Sequence, residues 1–273
     1  GRYKSEKMED IIDEAKNLVE RGVKELILVA QDTTRYGEDL YGENKLIELC
    51  EKLSKIKGLN WIRLHYLYPE KLNDKLLSFI SNNEKMCKYI DIPLQHIDDE
   101  ILHSMRRRLG EKETRQLLDK IKSSYPELAI RSTFIVGYPG ETRSKFKKLC
   151  EFIKEIKFDY AGFFPYSKEP NTASFFMKKQ MKEWTKNRRF KKIKTLQNKI
   201  ALENIKGLIG SDIDVLVDEF DSNSGEFCGH SQKLSPLVDF GVRFVDNGSV
   251  QCSSIVKVKI TDFDGSDLKG EVL

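Results

Sequence analysis

The chain has 273 residues, 39% hydrophobic and 33% charged, enough for one large α/β domain and a small second one. No apolar run approaches the roughly 20 residues that a membrane helix needs, and no signal peptide is read at the start. The net charge of +4 hides a split: residues 207–273 carry 12 acidic against 5 basic side chains, a net of −7, which leaves +11 on residues 1–206. Such asymmetry predicts two domains with different partners.

In chain order, helix signals cover 6–21 and an apolar strand over 25–30 ends at Gln31-Asp32-Thr33-Thr34. A helix at 44–56 stops at Gly58, and a strand at 61–67 is closed by Pro69. Next come a helix at 73–82 and a strand at 89–92 closed by Pro93. Asp98 caps a helix that breaks near Gly110 and resumes to about 124. In the segment 131–141, Thr133, Phe134, Ile135 and Val136 form an apolar strand that runs into Gly137, Pro139 and Gly140. A helix opens at Glu141-Thr142, with its body over 144–156, and a strand follows at 160–165. Strand, glycine turn, helix start is a geometry that brings backbone close to a bound cofactor, and it is also that of an ordinary βα loop.

Strands separated by helices of ten or more residues predict βαβ units and a parallel sheet of five strands. Each strand ends in a polar residue or glycine: Gln31, Tyr66, Gln95, Gly137 and Tyr166. Parallel α/β folds build their sites at that end, and the similar loop lengths favour a barrel.

Residues 178–206 form a strongly basic helical segment, with nine Lys and Arg against two Glu between Lys182 and Lys206. Nucleic-acid binding is one reading. A solvated amphipathic helix with Phe190, Ile193, Leu196 and Ile200 turned inward is the favoured one. After Gly210 the texture changes to short strands at 213–217, 241–245 and 255–260, with turns at 221–225, 246–248 and 264–265. That pattern predicts a small all-β barrel.

Five cysteines, Cys50, Cys87, Cys150, Cys228 and Cys252, stand singly, without CxxC or CxxxCxxC spacing. Neither a zinc site nor a disulfide framework is expected, no metal ligands are assigned, and a reducing cytoplasmic setting fits.

Several motifs occur together in order: AQDTTRYGEDLYG at 30–42, LHYLYP at 64–69, IDIPLQHIDDEIL at 90–102 with MRR at 105–107, RSTFIVGYPGE at 131–141 and FFPYSKEPNTAS at 163–174. The set closely resembles the methylthiotransferases of the radical S-adenosylmethionine (SAM) superfamily. QDTTRYG with a following DLYG looks like the ribosomal-protein branch, the RimO type. The opening GRYKS looks like the residues directly after the family's cluster-binding cysteines, and VKVKITDFDGSDLKGEV at 256–272 looks like the closing strands of its TRAM domain. The implied fold is α/β, a partial (β/α) TIM-like radical SAM barrel over 1–206, followed by a small all-β, OB-like TRAM barrel over 207–273. The family's CxxxCxxC loop is absent from these residues, so the chain reads as a fragment of a longer enzyme, inactive alone, with an exposed parallel edge where a first strand would pair. A natural truncation acting as a non-catalytic binding module is the alternative.

The resemblance implies methylthiolation of the β-carbon of an aspartate on small-subunit ribosomal protein S-twelve. It also implies SAM and two 4Fe-4S clusters as cofactors, with no cluster ligand in this chain. Gln31 would face the methionyl end of SAM, Gln95 the ribose, and Ile135 to Gly137 the adenine. Arg131 would either pair a carboxylate bidentately or form an ion pair beneath the barrel. Glu141 is read as the first-turn acid of its helix, His65 and His96 as structural, and Tyr66, Tyr68 and Tyr166 as substrate mouth or core. Pro170-Asn171 stands where the family usually has glycine before Thr172; Asn tolerates the left-handed conformation that glycine would adopt. A competing reading is a tRNA adenosine methylthiotransferase of the MiaB type. The −7 charge of the TRAM segment favours a basic ribosomal protein over RNA as its partner.

Overall fold

The computed structural model describes residues 3–236, 238–245, 248 and 250–273. Gly1 and Arg2 of the opening motif and Asp246 and Asn247 of one expected turn lie outside the described residues. The α/β part runs α1 (Met8–Glu20), β1 (Glu25–Leu28), α2 (Glu38–Tyr41), α3 (Leu46–Ser54), β2 (Trp61–Leu64), α4 (Asp74–Asn82), β3 (Tyr89–Gln95) and α5 (Asp99–Ser104). It continues with α6 (Glu111–Ser124), β4 (Ala129–Val136), α7 (Arg143–Ile156), β5 (Tyr160–Pro165) and α8 (Glu183–Lys206). The β segment is β6 (Asp212–Asp221), β7 (Glu226–His230), β8 (Val242–Val245), β9 (Ile255–Phe263) and β10 (Leu268–Val272).

Three expectations shift. The five α/β strands form not one sheet but a two-stranded sheet, β1-β2, and a three-stranded one, β3-β4-β5. Pro93 does not close its strand but lies inside β3, which extends to Gln95. β3 is the outer strand in the hydrogen-bonded order β3-β4-β5, a place where a residue without an N–H is tolerated. β7 was not read as a strand, because EFCGH is short and lacks a clear apolar alternation. It forms as the return arm of a hairpin with β6 across the expected turn at 221–225.

The chain forms two compact units. One comprises Gly1–Leu67, Lys71–Ile90 and Ile205–Leu273; the other comprises Tyr68–Glu70 and Asp91–Asn204. In the first, β1 and β2 pair in parallel, Glu25 to Leu28 against Trp61 to Leu64, with β1 at the edge. The β segment closes into a five-stranded barrel in the order β10-β8-β7-β6-β9. Gly229 permits that closure: a Cβ there would sit 2.2 Å from the backbone oxygen of Leu216.

The barrel is joined to the β1–β2 pair by a buried ionic cluster. Arg63 is fully buried and donates from Nε to Glu25 (2.7 Å), and from its two Nη atoms to the carbonyls of Gln232 (3.0 Å) and Ser231 (3.1 Å). His230 sits between Glu25 and Asp218, 2.8 Å from the latter. The Tyr89 ring lies 5.0 Å from the Arg63 guanidinium and its hydroxyl donates to Asp239. These contacts explain why residues beyond 205 share a unit with β1 and β2.

The second unit is centred on β4. Ser132, Phe134 and Val136 are buried while Arg131, Thr133 and Ile135 are partly open, the period-2 alternation of a strand with one face packed. Phe134 meets Phe152, Phe158 and Phe163 at centroid distances of 6.3, 5.5 and 5.7 Å. α7 buries Phe146, Leu149, Phe152, Ile153 and Ile156 on one face, and Thr142 caps it by accepting from the Lys145 N–H.

The ionic cluster sets a pH window. Burial opposes the charge on His230, but its bonds to Asp218 and Glu25 outweigh burial and raise it above about 6.5. Burial likewise pushes Glu25 up, but His230 and Arg63 outweigh it and hold the carboxyl below about 4.5. The contribution of His230 is present below its ordinary value and fades as pH rises through the raised one; that of Glu25 fades as pH falls through its lowered one. Thermal unfolding across pH should therefore peak in the mildly acidic range, and His230→Gln should flatten the loss on the alkaline side while lowering stability at the peak. An unchanged pH profile in that variant would refute the coupling.

Candidate cofactor site at the strand ends

In the second unit, three strand ends carry the site. Gln95 closes β3 in a left-handed conformation (φ 70°), and Gly137 follows β4 at φ 78°. For a non-glycine residue such a backbone costs on the order of 1–3 kcal/mol and persists where its surroundings enforce it. The Oε1 of Gln95 is buried without a hydrogen-bond partner, as is the hydroxyl of Tyr166 after β5. The parallel register sets Arg131, Thr133 and Ile135 beside Tyr160, Gly162 and Phe164, and Phe164 is 57% exposed. The open face of β4–β5 thus runs from a charged end at Arg131 to an apolar end at Ile135 and Phe164.

The turn after β4 is clamped by α8. Glu141 precedes the Thr142 cap, so it is not the first-turn acid expected from the sequence. Its carboxylate turns back to accept from the Gly137 N–H and to pair with Arg189, whose Nη1 also donates to the Glu141 carbonyl at 2.8 Å. Burial pushes the Glu141 carboxyl up, and Arg189 and the Gly137 N–H draw it part of the way back. Lys186, 2% exposed, donates to the Tyr166 carbonyl at 2.9 Å, and its Cγ lies 2.6 Å from where a Cβ on Gly137 would stand. The missing Cβ of Gly137 therefore makes room for the Lys186 stem. Spacing alone fits an ordinary βα loop there, and the ligand reading of Gly137 comes from the family resemblance. Lys186 and Arg189 were absent from the sequence-based site. A basic run with i, i+3 spacing does not reveal which cations turn inward.

The other expected residues fall into place as follows. Of the two readings for Arg131, an ion pair is present: its Nη1 donates to Asp91 at 3.0 Å, with Asp91 2% exposed on its side chain. Ile135 packs against the cluster of Ile101, Tyr138 and Tyr166. His96 is buried, accepts at Nδ1 from the Asp98 N–H, and is pushed down to about 4 by burial; its Nε2 is buried without a hydrogen-bond partner. Tyr68 lies under the Arg107 guanidinium at 4.9 Å. Asn171 adopts φ 65°, the left-handed conformation expected of it.

Gln31 belongs to the first unit, so it is not grouped with Gln95, Arg131, Ile135 and Gly137. It is exposed after β1 and shares its alternation with the exposed Ile27 and Val29. In the same unit Tyr66 is left-handed (φ 55°) and 44% exposed, and the His65 Nε2 bonds the Ser235 hydroxyl at 3.0 Å.

The second unit's strand ends fit a nucleoside-bearing cofactor such as SAM. An orphaned acceptor on Gln95 suits a ribose hydroxyl, and Ile135 with Phe164 offers apolar surface to a purine. The cysteines do not fit an iron–sulfur cluster. Cys50 is buried in α3, Cys87 in the connection before β3 and Cys150 in α7; burial holds the Cys50 thiol up at about 12, and no metal-ligating trio occurs among the described residues. The clamp yields a direct test. Arg189→Met leaves the Glu141 carboxylate buried without its cation and should cost about 3 kcal/mol at neutral pH. The variant should regain stability as pH falls and Glu141 takes up a proton, a rise larger than the parent chain's because Arg189 no longer draws the carboxyl back down; denaturant unfolding of both at pH 5 and 7.5 would measure the difference.

Residues 1–153 match the model of the radical SAM superfamily, and residues 209–273 match that of the TRAM domain. The chain is 42% identical over its whole length to the ribosomal protein uS12 methylthiotransferase RimO of Desulforamulus reducens and 41% identical to that of Carboxydothermus hydrogenoformans. It spans 62% of the length of each of these curated relatives. Among solved structures, coproporphyrinogen III oxidase (HemN) from Escherichia coli, described as a radical SAM enzyme, aligns with a TM-score of 0.50 at 16% identity. That alignment covers 75% of this chain and 48% of the oxidase, and the likeness is one of fold. A TIM-like radical SAM core followed by a closed TRAM-type barrel is thus the fold class, and the chain belongs to the radical SAM superfamily.

Proposed function

We propose that this chain is the SAM-binding core and TRAM portion of a cytoplasmic enzyme that places a methylthio group on the β-carbon of an aspartate of ribosomal protein uS12. Identity of 41–42% across all of its length to relatives of that name is the observation that carries the reading. The net reaction replaces one C–H bond of the aspartate with C–S–CH3. When bound, SAM supplies the hydrogen-abstracting fragment and, from a second molecule, the methyl group. The resemblance places one cluster on a CxxxCxxC motif, which these residues do not contain, and the other on an amino-terminal domain.

The chain's own residues bind and orient. Gln95, at the left-handed end of β3, offers Oε1 to the ribose. Ile135 and the Gly137 backbone line the adenine, with Phe164 beside Ile135 in register. Arg131, paired with Asp91, sets the electrostatics at the far end of that face. Tyr138 and Tyr166, edge to face at 5.3 Å, keep water from beneath the turn.

For the target, charge separates the two readings. A TRAM barrel that grips tRNA needs basic surface, whereas residues 207–273 carry a net charge of −7 and suit a basic ribosomal protein. Removing the coding region for these residues from the source cells should abolish the methylthio mass increment on uS12 while leaving tRNA nucleosides unchanged. Intact uS12 modification together with loss of methylthioadenosine from tRNA would establish the other reading.

A further inference from the structure

The basic helix α8 has two faces with different uses. Its inner face buries Lys186, Ile193, Gln197 and Ile200, a spacing of seven, four and three residues. Its outer face carries Trp184, Arg188, Lys191, Lys192 and Lys199, all exposed. With 3.6 residues per turn these five fall within an arc of about 100°, opposite the buried stripe. The cations from Arg188 to Lys199 extend along about 16 Å of the axis at roughly 1.5 Å per residue.

These four cations are not neutralised. α8 contains two acids, and both are directed elsewhere: Glu183 pairs with Lys186 at 2.6 Å, and Glu203 faces Lys157 at 3.7 Å. Among the described residues no carboxylate lies within ion-pair distance of Arg188, Lys191, Lys192 or Lys199. A helix face that merely needs solvation usually alternates sign, because unopposed like charges at i, i+3 and i, i+4 cost helix stability. Trp184 is 60% exposed, with the Arg188 guanidinium 5.1 Å from its ring, leaving an aromatic surface free at one end of the charged stripe.

We propose that the outer face of α8 is an RNA-binding surface. Arg188, Lys191, Lys192 and Lys199 contact consecutive phosphates of one strand, and Trp184 stacks on an unpaired base. Charge complementarity to a phosphate backbone identifies the partner as a polyanion. The aromatic platform suits a single-stranded segment. A membrane surface is disfavoured because Trp184 and the 43%-exposed Leu202 are the large apolar side chains that α8 exposes, too few to insert as an apolar face. The choice of RNA over DNA rests on the reading that the substrate is a ribosomal protein, which is presented among ribosomal RNA. The surface would then bind the RNA that accompanies such a target.

The test is fluorescence anisotropy with a labelled single-stranded RNA and its duplex, from 50 to 300 mM salt, on the parent chain and on variants. Four phosphate contacts predict a log–log salt slope of about −3 for single-stranded RNA. The quadruple variant Arg188→Gln, Lys191→Gln, Lys192→Gln and Lys199→Gln should reduce that slope to near zero and weaken binding more than tenfold at low salt. Trp184→Ala should weaken single-strand binding about tenfold and leave duplex binding nearly unchanged. Circular dichroism melts matching the parent would confirm that both variants fold, as expected for exposed positions. An unaltered slope in the quadruple variant would overturn the proposal, as would an equal loss from Lys257→Gln with Lys259→Gln in the barrel. Tighter binding to phosphatidylserine vesicles or to polyglutamate than to RNA would overturn it too. Because binding is read apart from modification, RNA binding through α8 with unmodified uS12 would count against the proposed substrate, not against this surface.

Discussion

A single buried carboxylate governs the shape of the turn that follows β4. Glu141 accepts from the Gly137 N–H and pairs with Arg189, while Lys186 fills the space that a Cβ on Gly137 would claim. Gly137 is held left-handed from below by α8 and from the side by its own loop. The backbone beyond Ile135 is thereby fixed before any ligand arrives, which is the sense in which a binding surface is preorganised. The energetic risk is concentrated as well: burying Glu141 and Lys186 is tolerable because each has a partner of opposite sign or a carbonyl at hydrogen-bond distance.

The strands and the β4 loop were legible because their signals are local. The apolar quartet Thr133 to Val136, the glycines after it and the Thr142 cap all act within a few residues. Asn171 was legible for a similar reason, since tolerance of positive φ belongs to the residue itself. Long-range charge pairing was not legible. The sequence offered Glu141 as a helix-end acid and α8 as a basic face, and nothing in either stretch indicated that they meet. The Arg63–Glu25–His230 cluster escaped for the same reason: its members stand up to 205 positions apart and none belongs to a motif. Pro93 misled because a proline reads as a strand end, whereas an outer strand can carry one.

The chain divides its charge by purpose. Inside the first unit, Arg63 and His230 offset the buried Glu25 and tie the closed barrel to β1 and β2. Inside the second, Lys186 and Arg189 stabilise loops at strand ends, while the remaining cations of α8 face solvent without acidic neighbours. The overall charge of +4 conveys none of this, because it averages an acidic barrel with a basic helix. Sorting each cation by burial and partner turns a compositional bias into separate structural and binding roles.

The central claim is that SAM is seated at the ends of β3 and β4, against Gln95 and the Ile135–Gly137 backbone. Hydrogen–deuterium exchange with and without SAM, followed peptide by peptide, tests it most directly. The account predicts slowed exchange in the peptides spanning residues 95–98 and 135–141, with no change in β6 to β10. Protection confined to the barrel, or none at the two strand ends under saturating SAM, would contradict it.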